Sequence, residues 1–177
     1  MIISLKDFAL TGQFGPVKVG MSKKEVISLL GTPDHDEELG SGFSELAYNW
    51  YEFFFEDHSD KLYGFQNDHL EGGHKDSILF KNKHFEINSW IIEVGKLLTY
   101  RDVKAQFKAQ GISFDEKEEY DRPHFYFDSG AFLDFGKDEV GATMEGDKWI
   151  PIPPKEYDSV DNWPLIGIRY FPSDWLV

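Results

Sequence analysis

An internal repeat limits this chain to few folds. The segment Val19–Gly31 opens with Val19-Gly20, and the segment Val94–Gly111 opens with Val94-Gly95. Each then offers a hydroxyl residue, Ser22 or Thr99, with an acid three positions on, Glu25 or Asp102. That spacing is a capping box: the hydroxyl accepts from one exposed helix-start amide while the acid satisfies another. Asp102 is shorter than glutamate, so the second box is the weaker. Val26, Leu29 and Leu30 follow on one helical stripe, and Val103, Phe107 and Gln110 form a rougher one. Gly31 and Gly111 are expected to stop the helices in a left-handed cap, with Pro33 reinforcing the first stop.

The parallel continues. An acidic stretch expected to be a loop follows each helix: Asp34, Asp36, Glu37 and Glu38, then Asp115, Glu116, Glu118, Glu119 and Asp121. An aromatic strand region follows each loop. The first is Tyr48 to Glu56, a turn at Asp57 to Asp60, and Lys61 to Phe65. The second is His124 to Phe127, a turn at Asp128-Ser129-Gly130, Ala131 to Phe135, and finally Leu165 to Phe171. Polar residues and glycine between β-rich runs signal hairpins. Ile78-Leu79-Phe80 and Phe85-Glu86-Ile87 are further strand candidates on either side of the join. The expected fold is α+β: two tandem modules, each with a short helix packed on an antiparallel sheet. Residues 1–80 make the first and 81–177 the second. A proline-rich insertion near 136–162, with Pro151, Pro153 and Pro154, reads as a long loop, because proline cannot donate to a ladder.

Two stretches near the N-terminus carry a resemblance. Gly20-Met21-Ser22-Lys23-Lys24-Glu25-Val26-Ile27-Ser28-Leu29-Leu30-Gly31-Thr32-Pro33 resembles a helix of the small lipoprotein of the outer-membrane β-barrel assembly machinery. A tandem pair of such modules is similar to the β-lactamase inhibitory protein, which implies a concave, protein-binding sheet. Phe14-Gly15-Pro16-Val17-Lys18-Val19-Gly20-Met21 also resembles the start of uncharacterised bacterial proteins, toxin-immunity proteins among the expected relatives. The resemblance covers residues 14–33 and brings no catalytic residues. The lipoprotein's lipid-anchoring cysteine has no counterpart, since the chain has no cysteine.

Charge and composition narrow the function. With 32 acidic and 18 basic side chains the net charge is −14. Such a field repels nucleic-acid phosphates and attracts a basic partner. Without cysteine there is no disulfide, zinc–thiolate or thiol chemistry. Met1 to Leu10 lacks the pattern of a signal peptide, and no apolar run reaches membrane-spanning length. Cytoplasmic residence is therefore expected, with no membrane partner. His35, His58, His69, His74, His84 and His124 show no paired helical spacing, so neither a metal nor a cofactor is expected. No serine stands in a nucleophile elbow, and no phosphate-binding glycine pattern follows a strand.

The aromatic strands remain. Side chains alternate faces along a strand. Tyr51, Phe53 and Phe55 are expected under the helix, leaving Tyr48, Trp50 and Phe54 on the other face. Phe125, Phe127, Leu133 and Phe135 are likewise expected in the core, with His124, Tyr126, Asp128 and Asp134 outward and Arg169 projecting from the last strand. An aromatic outer face rimmed by acids suits a protein partner. The competing reading buries those rings between modules, or beneath Trp90 and the segment from Tyr170 to Trp175. The leading functional expectation is a non-enzymatic immunity or inhibitor protein that neutralises a basic toxin domain such as a nuclease. The alternatives are a small-ligand enzyme and an assembly adaptor. A buried carboxylate or histidine lining a pocket would favour the enzyme.

Overall fold

Both capping boxes form. Helix α2 (Lys23–Leu30) starts where Ser22 Oγ accepts from the Glu25 amide at 3.3 Å and Glu25 Oε2 accepts from the Ser22 amide at 2.8 Å. Helix α4 (Tyr100–Gln110) starts with the same exchange between Thr99 and Asp102, at 3.4 and 3.2 Å. The shorter aspartate closes its box with the longer bonds. Gly111 adopts the left-handed cap, but Gly31 does not: its φ is 89° with ψ −169°, a region that only glycine enters readily. These observations come from a computed structural model that describes residues 1–136, 142–145, 148–151 and 159–172.

Two shorter α-helices accompany them, α1 (Leu5–Thr11) and α3 (Lys75–Ile78). Strands β1 (Ile2–Ser4) and β6 (Glu86–Asn88) pair in parallel. The main feature is one eight-stranded antiparallel sheet. It contains β2 (His35–Gly40), β3 (Phe43–Tyr48), β4 (Tyr51–Glu56), β5 (Lys61–Asn67), β7 (Asp115–Glu119), β8 (Arg122–Tyr126), β9 (Ala131–Phe135) and β12 (Leu165–Tyr170). Their spatial order is β2-β3-β4-β5-β12-β9-β8-β7. The last strand therefore returns to the middle, where Ile168, Arg169 and Tyr170 pair with Asn67, Gln66 and Phe65. One continuous sheet replaces the two sheets expected from the sequence. The molecule is α+β.

The helices share one face of that sheet. Val26 and Leu30 of α2, Val103 and Phe107 of α4, and Leu5 and Phe8 of α1 are all buried. They join Leu46, Phe53, Phe55, Phe65, Phe125, Leu133, Phe135 and Ile168 of the strands in a single core. Contacts cross the expected boundary at residue 80. Ser129 Oγ donates to the carbonyl of Ala9 in α1 at 2.6 Å, and Lys6 Nζ donates to Gln110 Oε1 at 3.3 Å.

Four local expectations need correction. The acidic stretches after the helices are not loops: they form β2 and β7, the two edges of the sheet. Acidic residues are poor strand formers, but an edge strand full of exposed charge resists pairing with another chain. The run from Tyr48 to Glu56 is two strands, not one, because Asn49 (φ 56°) and Trp50 turn the chain between β3 and β4. Ile78 ends a helix, so Ile78-Leu79-Phe80 is no strand. Within 136–162 a hairpin of β10 (Ala142–Glu145) and β11 (Lys148–Pro151) interrupts the expected loop, while Pro153 and Pro154 lie outside the described residues. No helix among the described residues is long and apolar enough to cross a membrane.

Candidate functional site

The face of the sheet opposite the helices holds most of the residues singled out from sequence. Strand register explains the grouping. Arg169 on β12 stands between Gln66 on β5 and Phe132 on β9, while His124 on β8 is the cross-strand partner of Asp134 on β9. Four side chains then link across the centre. Arg169 Nε donates to Asp134 Oδ2 at 2.8 Å, and Arg169 Nη1 donates to Gln66 Oε1 at 2.7 Å. Gln66 Nε2 passes the chain on to Glu52 Oε2 at 2.7 Å. The network stitches β4, β5, β12 and β9 together where the first and last parts of the chain meet.

Burial sets its electrostatics. Asp134 is only 4 % exposed and His124 only 7 %. Both face outward as expected, yet neither is open to solvent, and Arg169 is paired rather than projecting. Desolvation pushes the Asp134 carboxyl upward, and the charges of Arg169 and His124 oppose it. Desolvation also lowers His124, against the pull of Asp134. His124 Nδ1 lies 3.0 Å from the Arg122 carbonyl, which can only accept, so the proton sits on Nδ1. Asp134 Oδ1 has no hydrogen-bond partner. It lies over the α-carbon of Gly167, where a side chain in place of glycine would collide with it.

Asp134, His124 and Arg169 line a cleft of about 930 Å³ on the β12-β9-β8-β7 part of the face, together with Tyr126, Asp128, Phe132 and Phe171. Tyr126 stacks on Phe132 at 5.0 Å and 25°, and its hydroxyl donates to Glu119 at 2.8 Å. Asp128 lies at the rim, in the exposed turn after β8, rather than on a strand face.

The other candidates are dispersed. Phe54 is half-buried beside Phe171, 5.8 Å between centroids. Trp50 sits at the β3–β4 turn, 38 % exposed, with its ring 4.0 Å from that of His69. Tyr48 is a correction: it is fully buried, and its hydroxyl donates to the Gly31 carbonyl at 2.7 Å. The turn at Asn49-Trp50 reverses the face parity, which delivers Tyr48 to the core.

Sequence reasoning missed Glu52, Gln66, Asp68 and Phe132, and named Phe171 only within the covering segment of the competing reading. Only strand register brings them to the site. Glu52, Asp68 and His69 place donor atoms within 4.8 Å of one another. Gln66 Nε2 already fills the space between the two carboxylates, 2.7 Å from Glu52 and 3.3 Å from Asp68. Beyond them Glu45 and Glu52 are raised by burial, and Glu52 and Glu37 raise Glu45 further. The β2-β3-β4 part of the face thus concentrates negative charge.

Comparisons with known protein families, with curated proteins and with solved structures find no match for this chain.

Proposed function

We propose that the chain is a protein-binding module of the immunity or inhibitor type, whose outer sheet face docks and neutralises a basic toxin domain. One observation carries this reading. The sheet face away from the helices presents Trp50, Phe54, Tyr126 and Phe132 among acids, and among the described residues none of their ring contacts is with a helix. A sheet face in water normally reads polar, so partly exposed rings there call for a partner. Net charge of −14 and acidic edges on both sides favour a basic one. Tandem duplication belongs to the same proposal. In each half an acidic edge strand leads inward, β2-β3-β4-β5 from one side and β7-β8-β9-β12 from the other.

The test is affinity capture from source cells, followed by binary titration of the polypeptide recovered. A stoichiometric basic polypeptide should be retained, with affinity falling as ionic strength rises. Trp50→Ala should weaken that complex by about 2 kcal/mol, roughly thirtyfold, as buried tryptophan anchors do. Its thermal midpoint should stay near that of the parent, because Trp50 rests on His69 at the surface. Unfolding of this variant would place Trp50 in the core and remove it from the docking face.

One observation favours a second reading. A buried carboxylate and a buried histidine do line one cleft, which is what a small-ligand enzyme needs. Turnover would require a reacting group beside them, and Asp134 is already engaged by Arg169. Docking accounts for more of the face.

A further inference from the structure

Hydrogen-bonding capacity inside the cleft is one-sided. Of its strong donors, Arg169 is engaged with Asp134 and Gln66 and the Tyr126 hydroxyl with Glu119, while Lys117 lies over the Tyr126 ring. Two acceptors stand unmet. Asp134 Oδ1 has no donor although its side chain is about nineteen-twentieths buried, at 5 % exposure. His124 spends its proton on the Arg122 carbonyl, leaving Nε2 with a lone pair. Two residues along the same strands from this pair lie the stacked rings of Tyr126 and Phe132. A cation already rests on this floor, since Lys117 Nζ stands 4.5 Å from the Tyr126 ring centre. The acids of the lining, Asp115, Glu119, Asp128 and Asp134, outnumber its bases, Lys117, Arg122 and Arg169.

From this geometry we infer that the cleft receives the guanidinium of an arginine side chain presented by the docked basic protein. The inference rests on the docking reading and names its anchor. A guanidinium offers five donors and no acceptor, so it complements the two unmet acceptors. It is planar and weakly hydrated, and it stacks on aromatic faces better than an ammonium does. His124 and Asp134 are cross-strand neighbours, whose β-carbons stand about 5 Å apart. A fork of N–H groups spans that gap. Oδ1 now lies over Gly167, so the arriving guanidinium reaches it by a turn of the Asp134 carboxylate about its soft terminal torsion, with the Arg169 hydrogen bond to Oδ2 moving along. Lys117 is the internal occupant that the arriving arginine displaces.

The probe is N-acetyl-arginine methylamide, titrated into the full chain by NMR, with the lysine and citrulline analogues as controls. The arginine probe should bind in the millimolar range and shift the His124 and Phe132 ring signals. The lysine analogue and the uncharged, isosteric citrulline analogue should bind at least several-fold more weakly. Lys117→Ala should strengthen binding of the arginine probe several-fold, because it removes the competing cation from an exposed position. Asp134→Asn should abolish binding. Should that variant fail to fold, Lys117→Ala and Phe132→Ala, expected to act in opposite directions, decide instead. Equal binding of the three probes, or no response to Lys117→Ala, overturns the inference. A basic partner that binds parent and Lys117→Ala alike, with no arginine-probe binding, removes the anchor and leaves docking intact. Probe binding without any basic partner removes docking and leaves the anchor.

Discussion

Phe14→Ala should cost about 3–5 kcal/mol of stability, the range for emptying an aromatic site in a packed core. Phe14 is 1 % exposed, and its ring lies 5.2–6.3 Å from those of Phe8, Tyr51, Phe53, Phe65 and Phe85. Those partners come from α1, β4, β5 and the segment just before β6. Phe8, Phe53, Phe65 and Phe85 could fill the hole only by leaving their other ring contacts, and Tyr51 only by leaving its hydrogen bond to the Ile78 carbonyl. Since whole domains are stable by only about 5–15 kcal/mol, the variant should sit close to unfolding. Urea titration of Phe14→Ala and Phe14→Leu separates shape from hydrophobicity, with the leucine variant losing the smaller part. A loss below about 1 kcal/mol for alanine, typical of tolerated substitutions, would show that Phe14 is not the centre of this core.

Arg169→Met should be nearly as damaging, and its cost should depend on pH. The substitution leaves Asp134 buried without its cation, and breaking such a pair costs about 3–5 kcal/mol. For a chain of this size that is a fall of roughly 6–20 °C in thermal midpoint. Burial already holds the folded-state pKa of Asp134 above its ordinary value of 3.8, and loss of Arg169 removes the largest opposing influence. A carboxyl with a raised folded pKa binds protons more readily in the folded chain than in the unfolded one. Its destabilising effect is therefore complete above the folded pKa, shrinks as pH falls through that pKa, and vanishes below the unfolded value. The gap between variant and parent should narrow as the buffer is acidified. Adding Asp134→Asn to Arg169→Met should recover part of the loss at neutral pH. A gap of equal size at both pH values would mean that the methionine variant fails through packing, not charge.

The helices were legible because a capping box is local: four consecutive residues, Ser22 to Glu25 or Thr99 to Asp102, decide it. Face assignment also held wherever a strand stayed unbroken. Tyr51, Phe53 and Phe55, and Phe125, Phe127, Leu133 and Phe135, all point into the core. It failed at Tyr48 because the turn beside it has no glycine. Asn49 supplies the positive φ instead and hides the reversal within an aromatic run. The edge strands were hidden by their acids, since propensity says loop and only pairing with β3 and β8 makes them strands. The polar network was out of reach. Its bonds join residues 14, 35 and 103 positions apart, and alternation along one strand cannot reveal what stands opposite on the next.

Hydroxyl-radical footprinting of the complex with the recovered basic polypeptide asks directly which face meets the partner. Docking on the outer sheet predicts strong protection of Trp50, Phe54, Tyr126 and Phe132, with the exposed flanks of α2 and α4 labelled as in the lone chain. Protection on those helix flanks, with the four rings still reactive, would contradict it.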